Sequence, residues 1–146
     1  MAATNRYMNT SGWSFTPAGG ALTALTGITS FGYDEGISTK KESADFDGFP
    51  TVAVSDFRDP TITLATLDAF AFIAILAGAK GSLTGNVRDA YNGVTAAGGG
   101  KSVTMSNAAI QARSLTAAHR EFASQQLTFG AVSVDGATHP VAVTAL

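Results

Sequence analysis

Thr61-Ile62-Thr63-Leu64-Ala65-Thr66-Leu67-Asp68-Ala69-Phe70-Ala71-Phe72-Ile73-Ala74-Ile75-Leu76-Ala77-Gly78-Ala79 is the most apolar run in the chain, and its reading decides the fold. From Ile62 to Ala79 it barely reaches the roughly 20 apolar residues that a bilayer-crossing helix needs, and Asp68 sits inside it. The pattern divides it instead. Thr61 to Thr66 alternates apolar and hydroxyl side chains with β-branched residues, which reads as a half-buried strand. Asp68 is a good helix N-cap, helix formers follow, and Gly78 stands just past Ala77, so the expectation is a short flanking α-helix over Asp68–Ala77. Phe70, Ile73 and Leu76 would pack that helix on a sheet, and no membrane span is expected.

On either side the chain reads as strands separated by Gly, Asp and Pro turns. Upstream, Ser11–Thr16 carries Trp13 and Phe15 on one face, Thr26–Tyr33 follows, and Asp34-Glu35-Gly36 is a turn. Ile37–Ala44 and Thr51–Ser55 flank the loop Asp45-Phe46-Asp47-Gly48-Phe49-Pro50, and Asp56–Pro60 is a polar turn. Downstream come Gly81–Tyr91, Asn92-Gly93 as a turn, Val103–Arg113, a polar irregular Leu115–Arg120, and Glu121–Val134 with Leu127, Phe129 and Ala131 alternating. Asp135-Gly136 reads as a further hairpin turn, and Val141–Leu146 as a last strand. The expected fold class is mainly β: an antiparallel β-sandwich or barrel with the one flanking helix. With 146 residues and no linker or repeat, one domain over 1–146 is expected, with an N-terminal arm over about 1–19 and an extended loop over about 37–59.

Composition narrows the function. Charged residues make up only 14% against 45% hydrophobic, so Gly, Ala, Thr and Ser fill a surface that a lone monomer would cover with charge. The net charge of −2 offers no basic patch for tight nucleic-acid binding. The absence of cysteine excludes disulfides and thiolate metal sites. The stretch before Pro17 lacks the apolar core of a signal peptide.

Candidate chemistry is thin. Gly98-Gly99-Gly100-Lys101-Ser102 ends like a phosphate-binding loop, but Thr95 stands where the first Gly belongs and a strand follows instead of a helix. Asp45, Asp47, Asp56 and Asp59 form a loose acidic group without the twelve-residue calcium-loop pattern. His119 and His139 have no metal-spaced partner, and no nucleophile-elbow sequence is present. No catalytic residue, metal or cofactor is expected, and the chain is read as a non-enzyme.

One resemblance rests on Gly27-Ile28-Thr29-Ser30-Phe31, Asp34–Lys41, Phe49–Phe57 and Asp59-Pro60-Thr61-Ile62-Thr63. Their order, strand, acidic loop, strand, Asp-Pro, strand and helix, followed by a Gly-rich hairpin and two late strands, resembles the tail tube (major tail) proteins of long-tailed bacteriophages from about Gly20 to Leu146. The resemblance implies a self-assembling structural virion protein made in the host cytoplasm. Stacked hexameric rings would form the tail tube, a conduit for genome delivery, with DNA passing transiently without specific binding. It implies tape-measure, tail-terminator, and distal tail or baseplate proteins as partners. The 37–59 loop would then be a stacking element, with Lys40, Lys41, Asp45, Asp47, Phe49 and Arg58 as interface candidates. The N-terminal arm, with Tyr7, Trp13 and Phe15, would reach a neighbour, against core packing as the other reading for Trp13 and Phe15. Alternatives are another virion β-module, namely a capsid decoration or baseplate protein, a sugar-binding β-sandwich, or a small hydrolase on a β scaffold. The single Trp and three Tyr give the sugar-binding reading little support.

Overall fold

A computed structural model of the chain describes residues 7–43, 48–49, 52–68, 75, 78–91, 94–95 and 100–145. It is an antiparallel β structure with eleven strands among these residues. They are β1 (Tyr7–Pro17), β2 (Thr23–Ala24), β3 (Ile28–Asp34), β4 (Ile37–Glu42), β5 (Val52–Arg58), β6 (Thr61–Thr66), β7 (Gly81–Tyr91), β8 (Val94–Thr95), β9 (Lys101–Thr116), β10 (Ser124–Ala131) and β11 (Val141–Ala145). The main sheet runs β2-β1-β7-β9-β10-β6-β3, with β8 on β7 and β11 on β9, while β4 and β5 form a separate two-stranded ladder.

The expected helix over Asp68–Ala77 falls mostly outside the described residues, as do Phe70, Ile73 and Leu76. Its two described positions, Asp68 and Ile75, lie in non-helical backbone, and no helix occurs among the described residues. Asp68 accepts a hydrogen bond from the Thr26 hydroxyl, and its own N–H donates to Thr66 Oγ1 at 3.0 Å. The buried Thr66 donates in turn to the Thr26 carbonyl at 2.8 Å.

Alternation places the core. In β6, Ile62, Leu64 and Thr66 are fully buried while Thr61, Thr63 and Ala65 face the half-exposed side. In β10, Leu127 and Phe129 do the same. In β9 the inward set breaks from Val103 and Met105 to Ala108 and Ile110, a step of three. Asn107 takes φ +50° there, an irregularity that keeps both halves facing the core.

That irregularity marks where β9 changes partner. Its first half pairs β11, from Lys101↔Ala145 to Met105↔Val141, and its second half pairs β10, from Ala108↔Ala131 to Thr116↔Ser124. β10 and β11 therefore lie end to end along one edge of β9, as one strand interrupted by the excursion 132–140. The tight hairpin expected at Asp135-Gly136 is thereby corrected. Asp135 instead gathers the excursion, accepting from Ala137 N, Thr138 N, Ser133 Oγ and Thr138 Oγ1 at 2.7–2.9 Å.

A second irregularity lies in β1. Ser11 pairs Asn86 and Ser14 pairs Thr84, so Gly12 and Trp13 oppose the single residue Gly85. Gly12 sits at φ +66°, the left-handed conformation that a bulge of this kind asks of its first residue. The extra residue turns the Trp13 indole over Gly85, where a Cβ would lie 2.1 Å from the ring. Trp13 then stacks on Phe31 of β3, centroids 5.1 Å apart, so the strand at one end of the sheet meets β1 near the other. Among the described residues no ladder joins β1 to β3, and the two strands meet there through the Trp13–Phe31 stack.

Candidate functional site

The ladder β4–β5 occupies the segment expected as an extended loop, pairing Glu42↔Val52 through Ile37↔Arg58. Lys40 and Lys41 are exposed on β4 and Phe49 is 84% exposed near the tip. Asp45 and Asp47 lie outside the described residues. Of the other candidates, Tyr7 begins β1, opposite Ala90. Trp13 and Phe15 are buried in this chain's own core, at 2% and 0% exposure.

The hairpin's base is where polar groups converge. Gly36 takes φ +62°, and a Cβ there would lie 2.2 Å from the Asp59 carbonyl oxygen, so only glycine lets the two chains close. Asp59 N donates to Gly36 O at 3.2 Å, and Gly36 N donates to Asp34 Oδ1 at 2.8 Å. Above this knot, Glu35 accepts from the Tyr33 hydroxyl at 2.5 Å through Oε2. Its Oε1 meets His139 Nε2 at 2.9 Å and Arg58 Nη1 at 3.5 Å. On the far side of the imidazole, Val141 N donates to His139 Nδ1 at 3.0 Å. That bond makes Nδ1 the acceptor, so the neutral ring carries its proton on Nε2 and donates to Glu35.

The charges follow from these bonds. Hydrogen bonds from Tyr33 and His139 hold the Glu35 carboxyl below its usual range. Desolvation, then the hydrogen bond to Glu35, pushes the Tyr33 phenol up to about 12. A carboxylate engaged by three donors is poorly suited to accept a proton from a substrate, and well suited to hold three segments together. Among the described residues no group of three or more His, Asp or Glu is placed to hold a metal ion.

Glu35 and His139 also line a cleft of about 1010 Å³, together with Ile28, Phe31, Val87, Val103, Val141 and Val143. β11, on one side, pairs only β9 among the described strands, which leaves its outer edge open, and Val143 is 59% exposed. Sequence reading missed Glu35, Tyr33 and His139 as partners. Asp34-Glu35-Gly36 is legible as a turn, but the Glu35–His139 contact spans 104 residues and leaves no local pattern.

No family model matches the chain, and no curated protein matches it. Among solved structures, the chain is similar to the cryo-EM structure of the anti-feeding prophage cap (AFP tube terminating cap), with 18% identity and a TM-score of 0.51 over 100% of this chain and 96% of that one. It also matches the PVC sheath-tube complex of an extracellular contractile injection system in the extended state, at 15% identity and TM-score 0.46 over 92% and 89% of the two chains. The sheath/tube terminator of that system in the extended state gives 13% identity and TM-score 0.43 over 92% and 94%. The likeness to the cap is one of fold.

Proposed function

We propose that the chain is a structural subunit of a tail-like tube, assembling with copies of itself into hexameric rings that stack, as part of a virion or phage-tail-like particle. The observation that carries this reading is the end-to-end likeness of fold to a tube terminating cap. Three features support it. A chain with only 14% charged residues suits faces covered by neighbours. The open outer edge of β11 and the hydrogen-bond gap between β1 and β3 suit sheets that continue from copy to copy. The β4–β5 hairpin, where Lys40, Lys41, Phe49 and Arg58 are exposed, suits contact between rings, and Asp45 and Asp47 are candidates for the same contact by their place in the sequence. Tape-measure, terminator and baseplate proteins would be its other partners, and DNA would pass without specific binding.

A second reading follows from the name of that same structure: a ring that ends a tube instead of extending it. Negative-stain electron microscopy across a concentration series, with light scattering beside it, separates the two. Stacked tubes are expected for a tube subunit and single rings for a cap. A monomer at every concentration, or a compact trimer of the decoration-protein kind, would overturn both.

A further inference from the structure

We infer that Glu35 is a positioning residue: it clasps the base of the β4–β5 hairpin to the start of β11 and so fixes the pose in which the hairpin meets a second copy of the chain. The docking half of this inference rests on the tube reading, while the clasp itself rests on geometry alone.

The hairpin needs such a device. Among the described residues β4 and β5 pair with each other and with no strand of the main sheet, and a lone two-stranded ribbon is marginal in water. Its hinge is Gly36, set between the rungs Asp34↔Thr61 of β3–β6 and Ile37↔Arg58 of β4–β5, with the bond from Asp59 N to Gly36 O between them. Rungs strung along one ribbon fix its pairing but leave it free to bend at the break. Glu35 adds further attachments in different directions, to Arg58 at the end of β5, to Tyr33 on β3 and to His139 before β11. Arg58 lies on the hairpin side of the hinge and Tyr33 and His139 on the main-sheet side, so the carboxylate ties one side to the other. The His139 ring carries the constraint onward, because its Nδ1 holds the first N–H of β11. Hairpin, excursion 132–140 and the open edge of β11 are thus joined through one carboxylate. The Glu35 side chain is 31% exposed, that of His139 35% and that of Arg58 62%. At that exposure the ion pairs add little to global stability, so the consequence is local order.

The test compares Glu35→Ala and Glu35→Gln with the full-length wild type by residue-resolved amide exchange. Beside it run a tyrosine titration in a background carrying Tyr7→Phe and Tyr91→Phe, and electron microscopy of assembly. Glu35→Ala should speed exchange at least tenfold at residues 36–42, 52–59 and 139–142 while the β9–β10 ladder stays unchanged. The Tyr33 phenol should fall from about 12 toward its ordinary 10. Glu35→Gln, which keeps an acceptor but loses the charge, should lie between. Assembly should weaken at least tenfold in critical concentration. Unchanged exchange at the hairpin base would overturn the clasp, and uniformly faster exchange would show a merely structural role. Faster local exchange with wild-type assembly would refute the docking half. A wild type that never assembles would sink the tube reading, and the docking half with it, while the exchange data still judge the clasp.

Discussion

Trp13 shows how much hangs on one missing methyl group. Its indole occupies the space where Gly85 would carry a Cβ, 2.1 Å from the ring. Gly85→Ala must displace the ring or bend β7, and overpacking of this kind costs about 1–3 kcal/mol. Trp13→Ala removes a buried aromatic and should cost about 3–5 kcal/mol. The double variant should lose clearly less than the sum, because the alanine methyl then has room, and urea unfolding of all three chains measures that coupling. Asp135 offers a test by pH. Hydrogen bonds from Thr138, Ala137 and Ser133 hold its carboxyl well below the usual carboxylate range. A depressed value means that the folded excursion prefers the charged form. Its contribution is present above the unfolded value of about 3.9 and is lost only as pH falls through the lower folded one. Amide resonances of Ala137 and Thr138 should therefore keep their positions at pH 4, and Asp135→Ala should shift them at neutral pH. Tyr33 has the opposite sign: its raised phenol favours the neutral form, so that contribution fades as pH rises between 10 and about 12.

At the scale of elements, much of the strand order is written in the local pattern. Thr61–Thr66 and Gly81–Tyr91 are strands with the bounds that alternation and turn residues predict. The misses have physical causes. β9 extends to Thr116, through residues whose polarity reads as irregular, because pairing with β10 outweighs the weak preference of Arg113–Thr116. Asp135-Gly136 looks like a hairpin turn, yet β10 and β11 share β9 as partner instead of each other, a fact of register that no window of ten residues contains. The same limit hides the clasp, since its members come from β3, β5 and the approach to β11. The segment 37–59 reads from its sequence as an extended loop, and its flanks pair as β4 and β5. Its β4–β5 pairing is predicted to outlast mild denaturant less well than β9–β10, with native-state exchange in urea as the measurement.

For the molecule as a whole, low charge and scattered exposed apolar residues set the terms of association. Phe49 is 84% exposed, Phe122 90% and Val134 88%, on three different loops. Were these ordinary surface residues, replacing them would change nothing beyond the roughly 0.5 kcal/mol usual at surface sites. If Phe49 meets a neighbour, Phe49→Ser should leave the unfolding midpoint of the single subunit unchanged and raise the concentration at which rings or tubes form by at least tenfold. Concentration-dependent light scattering reads that difference. The end-to-end placement of β10 and β11 has a further consequence for the covalent chain. The excursion 132–140 contributes no rung to either ladder, so a protease cut there would sever the backbone without breaking any pairing of β11 with β9. Residues Val141–Ala145 would then stay on β9 through their own ladder, and a free peptide of the same sequence should compete for that place. The β11 segment is in this sense an exchangeable part, and a chain nicked within 132–140 and mixed with a synthetic peptide of residues 137–145 should trade one for the other without unfolding.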